Sequence, residues 1–179
     1  MTEEKYNDMK SSYKELVKKM MIEMGGLNPH ITVLGVHKED GHDSIIHVPI
    51  ESKYMKSEDT KDLFVDEVVP EIAKELTKRF EVKAVGWAAE AWMRTANKEE
   101  GLPENWKDLP IKKEVLIMTI ESDAHNETII MEIIRNGKQV NAEGDLIDAI
   151  ELIELEELND GAQAGGRFTG LYKKFTANS

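Results

Sequence analysis

Glu90 is the lone carboxylate in residues 82–94, VKAVGWAAEAWMR, where it sits among alanines between Trp87 and Trp92. A carboxylate on a buried strand is either pushed toward its neutral form, fit to move a proton, or held ionised by a cation and backbone N–H groups. The first outcome gives a general acid–base or ligand-anchoring group, with Trp92, Arg167 and Trp106 around a pocket. The second gives a structural ion pair, for which Arg94 and Arg167 are the cations at hand. Arg94 lies on the same strand face but about 13 Å away if the strand is extended. No partner chemistry supports the catalytic outcome, and the ion pair is the favoured reading.

The histidines offer a second possibility. His37 and His47 are placed on one face of a hairpin, with His42 in its turn and Asp40 or Asp43 nearby. Two imidazoles and a carboxylate suit a divalent metal, but no H-E-x-x-H or H-x-H spacing accompanies them. They are read as polar face residues, and neither metal nor cofactor is expected. Residues 165–170, GGRFTG, could cradle an anion on bare backbone N–H groups beside Arg167. They lack the Gly-Lys-Ser/Thr of a phosphate loop, and a docking turn for the chain's end explains them as well. A G-x-S-x-G nucleophile is missing too. Enzymatic activity is therefore not the favoured reading.

Composition narrows the classes further. The chain has 179 residues, 40% hydrophobic and 32% charged, with a formal charge of −12 and no cysteine. Such a charge opposes direct binding to a phosphate backbone, which relies on Lys and Arg releasing counterions. Without cysteine, disulfides, thiolate catalysis and Cys-based metal sites are excluded. No window approaches the ~20 apolar residues of a membrane span. The polar start lacks an apolar signal core, and a cytoplasmic protein is expected.

Positioning these residues requires a set of elements. Tyr6, Met9, Tyr13, Leu16, Val17, Met20, Met21 and Met24 recur at three and four, the stripe of an amphipathic helix over 3–24, stopped by Gly25-Gly26. ITVLGVHK and DSIIHVPI flank Asp40-Gly41 as a hairpin. Its pattern places Leu34 and Val36 on one face with Ile46, Val48 and Ile50, and Ile31, Val33 and His37 on the other with Ile45 and His47. A second helix over 58–80 is capped by Ser57 and interrupted at Pro70 by a kink or broken turn. Residues 82–94 then form a central strand whose small residues admit a close-packed neighbour.

Residues 95–111 read as a long loop carrying Trp106, followed by strands KKEVLIMTIES and ETIIMEIIRNG, the latter closed by a turn at Asn136-Gly137. Residues 141–160 carry eight acidic residues and no basic ones; Leu146, Ile147, Ile150, Ile153 and Leu158 fit a helix, the favoured reading, while Ile150, Leu152 and Glu154 against Ile153 and Leu155 also fit a short strand. A flexible connection over 159–167 leads to a short docked C-terminal segment. The expectation is one α+β domain, a five-stranded antiparallel sheet packed with helices, in the order α-β-β-α-β-β-β-(α).

That order resembles the profilin-like arrangement of roadblock and longin modules. Glu90-Ala91-Trp92-Met93, the strand KKEVLIMTIE and the late Gly166-Arg167-Phe168 resemble a set of prokaryotic and phage proteins with an E-A-W-M strand and a late G-R-F. The resemblance implies no activity. It favours strand over helix for 87–93 and brings Glu90 and Arg167 together as a buried pair. The function expected is a protein-interaction module acting as a homo-oligomer. The alternatives are a small-molecule-binding or enzymatic domain with a pocket near Glu90, and an acidic inhibitor mimicking nucleic acid through residues 141–160.

Overall fold

A computed structural model describes residues 1–94, 109–158 and 168–177, with backbone alone at 111–112 and 156–158. Trp106, Arg167 and the expected flexible connection 159–167 lie outside the described residues, as does most of the expected loop 95–111. The fold is α+β, a single curled antiparallel sheet with helices on both faces. Helix α1 (Glu3–Met24) starts at Thr2, whose hydroxyl accepts from the Lys5 N–H, and ends at Gly25 in the left-handed conformation. Strands β1 (His30–His37) and β2 (Asp43–Pro49) form the hairpin. A 3-10 turn (Ser52–Met55) leads to α2 (Glu58–Leu63), capped reciprocally by Ser57 and Thr60.

The helix does not break before Pro70. It widens into a π turn over Phe64–Val68, in which the Val69 N–H donates to the Phe64 carbonyl, and continues as α3 (Val69–Leu76). Proline cannot donate to the carbonyl four residues back, and the wider turn accommodates that loss. Strands β3 (Phe80–Arg94), β4 (Ile111–Glu121), β5 (Asn126–Val140) and β6 (Leu146–Leu158) follow, and α4 (Leu171–Thr176) ends the described chain.

Two expectations are overturned together. The sheet has six strands, not five, in the order β2-β1-β3-β4-β5-β6, every neighbour antiparallel. The sixth is the segment expected to be helical. Its apolar residues fit both periods, but β5 is 15 residues long and offers an edge that a strand can pair. Alternation then carries Ile150 and Leu152 under α1. Nor does Asn136-Gly137 end β5. It forms a bulge, since Arg135 pairs with Ile150 and Lys138 with Asp148, and the hairpin turns at 141–145 instead.

A third correction concerns the first hairpin. Leu34 lies opposite Ile45, and Ile31 and Val33 lie opposite Val48 and Ile46, so the expected face assignment was slipped by one residue. A slip of one in pairing exchanges the two faces. The odd β1 residues bury against α3, the even ones against α1.

The core has two layers. On one face α1 presses Tyr6, Met9, Tyr13, Val17 and Met21 onto Leu34, Ala84, Ala88, Leu116, Met118, Ile129 and Met131. The small residues of β3 make room there for a ring: a Cβ at Gly86 would stand 2.6 Å from Tyr13 Cζ. On the other face the π turn, α3 and α4 bury Phe64, Val69, Ala73, Leu171 and Phe175 against Ile31, Val33 and Val85. Six residues are too few to hold a helix alone, so α4 depends on that burial, roughly 1.5–3 kcal/mol per large side chain. Phe168 stacks on Trp87 at 4.9 Å, and the buried Glu121 carboxylate accepts from the Gly170 and Tyr172 N–H groups.

Candidate functional site

Glu90 does meet an arginine, and it is Arg135 of β5. The Arg135 guanidinium, 29% exposed, lies at the end of α1 where β3, β4, β5 and β6 run side by side. Its Nε and Nη2 donate to the two oxygens of Glu114 at 3.0 and 2.6 Å, and Nη2 also donates to Glu90 Oε2 at 2.8 Å. Nη1 donates to Asp148 Oδ2 at 3.0 Å and to the Gly25 carbonyl at 3.1 Å. A guanidinium has five N–H donors, and all five are used. The other oxygen of Glu90 accepts from the Leu27 N–H at 2.5 Å, and Lys138 holds the other oxygen of Asp148 at 2.6 Å.

The electrostatics follow from that geometry. The bidentate bond from Arg135 holds Glu114 below the usual carboxylate range despite partial burial. Asp148 is lowered first by Lys138 and then by Arg135, and Arg135 itself is raised by its bonds to Glu114. Three carboxylates around one arginine and one lysine form a charged cluster whose members are all engaged. It joins four strands and the end of α1, and each Glu90 oxygen accepts a hydrogen bond within it.

A second polar cluster lies on the same face beside β1 and β2. His47 Nδ1 and Thr32 Oγ1 are 2.9 Å apart, and the His30 ring stands edge-on to His47 at 5.3 Å. His30 Nδ1 meets the Asn28 carbonyl at 3.2 Å, which assigns its proton to that nitrogen. Burial lowers the pKa of both histidines, His30 being lowered further by His47. His30 Nε2, His47 Nε2 and Tyr13 Oη are buried without a hydrogen-bond partner.

His37 and His47, placed on one face of the hairpin by the sequence pattern, lie on opposite faces. His37 points to the opposite face, edge-on to Phe80 at 5.0 Å, and its Nδ1 lies 3.4 Å from Asp40. Among the described residues no three His, Asp or Glu side chains gather as metal ligands do. Trp92 is on the Glu90 face of β3 but 63% exposed. The Arg94 guanidinium donates to the Leu109 carbonyl. The acidic residues of β6 are divided between its faces. Asp148 and Glu154 turn toward α1, where Lys14 holds Glu154 at 2.6 Å, whereas Glu151 faces away and accepts from Asn136.

Sequence reasoning missed Arg135, Glu114 and Asp148. Arg135 did carry a signal, as the lone cation after the apolar run IIMEII, but its partners come from strands whose register no local pattern gives.

Two surface features remain. At the end of α1, Ile22 and Met24 are 38% and 54% exposed, beside Val140 and Leu146 at 66% and 68%. Val140 and Leu146 are cross-strand partners, and the Gln139 side chain donates to the Ile22 carbonyl at 3.2 Å, which ties this end of the β5–β6 hairpin to the end of α1. At the start of α1 a groove separates the helix from β2. No family model matches this chain, and no curated protein or solved structure was found similar to it. Among the described residues no helix is long and apolar enough to cross a membrane.

Proposed function

We propose that this chain is a protein-interaction module that acts as a homo-oligomer through the patch of Ile22, Met24, Val140 and Leu146. The observation that carries the reading is the exposure of all four at the end of α1 and on the β5–β6 hairpin bonded to it, since large apolar side chains exposed on a monomer are ordinarily scattered. A second copy is the occupant that fits. At −12 the surface repels its own kind almost everywhere, and an uncharged patch is where two copies approach without a like-charge penalty. Its rim is polar but already paired, by Lys19 with Glu23 and Lys138 with Asp148. An apolar centre inside a polar rim is the usual anatomy of such an interface.

Light scattering on size-exclusion eluates tests this. The expected mass at micromolar concentration is a multiple of 20.3 kDa, and Val140→Lys with Leu146→Lys returns it to the monomer without loss of helical signal. A monomer at all concentrations overturns the proposal. An oligomer indifferent to both substitutions overturns the assignment to this patch.

A further inference from the structure

The groove at the start of α1 has a volume of about 460 Å³. Met9 and Leu34 line its floor, Ile45 borders it, and Glu4 and Asp8 stand on its helical rim. Ile45 is 43% exposed on the face of β2 that looks toward α1. Lys5, the basic residue of the groove, is bound to Asp43 at 2.9 Å. Glu4 and Asp8 are exposed and have no cationic partner among the described residues.

The strand beside this groove is the last of the sheet. His37 N–H donates to the His42 carbonyl and Ile50 N–H to the Pro29 carbonyl, one pair at each end of the β1–β2 ladder. In an antiparallel ladder hydrogen-bonded and non-hydrogen-bonded pairs alternate. The bonded pairs therefore fall on Ser44, Ile46 and Val48, and Asp43, Ile45 and His47 turn their N–H and C=O groups outward. Pro49, next in the outward series, has no N–H and closes it. Ile45 thus presents one neighbour with both a free backbone pair and an apolar side chain.

We infer that this edge and groove bind an extended peptide segment, added to β2 as a strand, with a basic and an apolar side chain two residues apart. Alternate residues of a strand share a face about 7 Å apart. One therefore reaches the floor of Ile45, Leu34 and Met9 while the other meets Glu4 and Asp8. An acidic segment is repelled by the same rim. Main-chain bonds supply the affinity and the alternate side chains the selection.

The probe is acetyl-KTLTKTLT-amide, titrated into the ¹⁵N-labelled full chain. The expected result is saturable shifts confined to the amides of 4–12 and 43–47, weakening as salt is raised. Glu4→Gln with Asp8→Asn weakens binding about 3- to 10-fold. Ile45→Lys, a change on an exposed strand position, removes it while circular dichroism stays unchanged, and Glu71→Gln on α3 has no effect. Equal affinity for acetyl-ETLTETLT-amide overturns the inference. So do shifts centred on β6, or no saturable shift up to about 1 mM peptide, where binding would be weaker than about 4 kcal/mol.

Discussion

Two polar clusters lie side by side beneath α1, and they are held by opposite means. Around Arg135 everything is charged and every donor is used, with the carboxylates coming from three different strands. Around His30 and His47 everything is neutral, and three buried polar atoms have no partner. Both clusters pin the same connection between α1 and β1, one through the Gly25 carbonyl and the Leu27 N–H, the other through the Asn28 carbonyl. The difference teaches where a polar group under a helix stabilises and where it is merely accommodated. A paired charge is costly to break, whereas an unpaired neutral group costs about as much to keep as to remove.

Breaking the charged cluster has the largest expected effect. Arg135→Met leaves Glu90 and Glu114 partly buried without their cation, and a loss of about 2–4 kcal/mol in urea unfolding is expected. Adding Glu90→Gln and Glu114→Gln removes the stranded charges and should restore part of it. If the single variant is as stable as the parent, the cluster is not what anchors the end of α1. If the triple variant is no better than the single, the loss came from packing rather than from charge.

Acid separates the clusters by pH, because both contribute in the same direction at different points. His30 and His47 have folded pKa values below 6.5, so the unfolded chain takes up protons first. Their contribution is complete above 6.5 and declines as pH falls from there toward the folded values. Glu114 is likewise depressed from 4.5, so its contribution is lost only below that. The groups placed around the imidazoles are Asn28, Thr32, the Tyr13 hydroxyl and the other imidazole. Melting temperature against pH should therefore fall in two steps, and His30→Asn with His47→Gln should flatten the upper one alone. An upper step unchanged by that pair would assign it to other groups.

Much of this fold was legible because it rests on local signals. The stripe from Tyr6 to Met24, the Ser57 cap and the Asp40-Gly41 turn each carry their own physics within a few residues. What failed was long-range. Residues 146–158 satisfy both helical and strand periods, and only the open edge of β5 decides between them. The faces of the first hairpin depended on a register that a five-residue connection does not reveal. For the candidate site, Glu90 stood out because a carboxylate among alanines is conspicuous. Its partner did not, because Arg135 reaches Glu90 only after β3, β4 and β5 pair in register and a bulge at 136–137 breaks the ladder just past the arginine. His37 and His47 looked alike in sequence and point to opposite faces for the same reason.

The smallest expected effect sharpens the comparison most. The Tyr13 hydroxyl is buried with no partner, and burial raises its pKa well above the usual tyrosine range. In Tyr13→Phe the ring still fills the space over Gly86, and only the unsatisfied group is removed. A hydroxyl that has lost water and gained nothing costs roughly 1 kcal/mol or more, offset by the dispersion contacts of its oxygen. Stability should therefore stay within about 0.5 kcal/mol of the parent or rise by up to about 1 kcal/mol. The contrast is with Arg135→Met, at the same helix and the same sheet face, where removing a satisfied group exposes its partners. A loss above about 1 kcal/mol in Tyr13→Phe would show that the hydroxyl is bonded after all, through an ordered water reaching His30 or His47. The neutral cluster would then be a satisfied network like the charged one, and the distinction between them would fall.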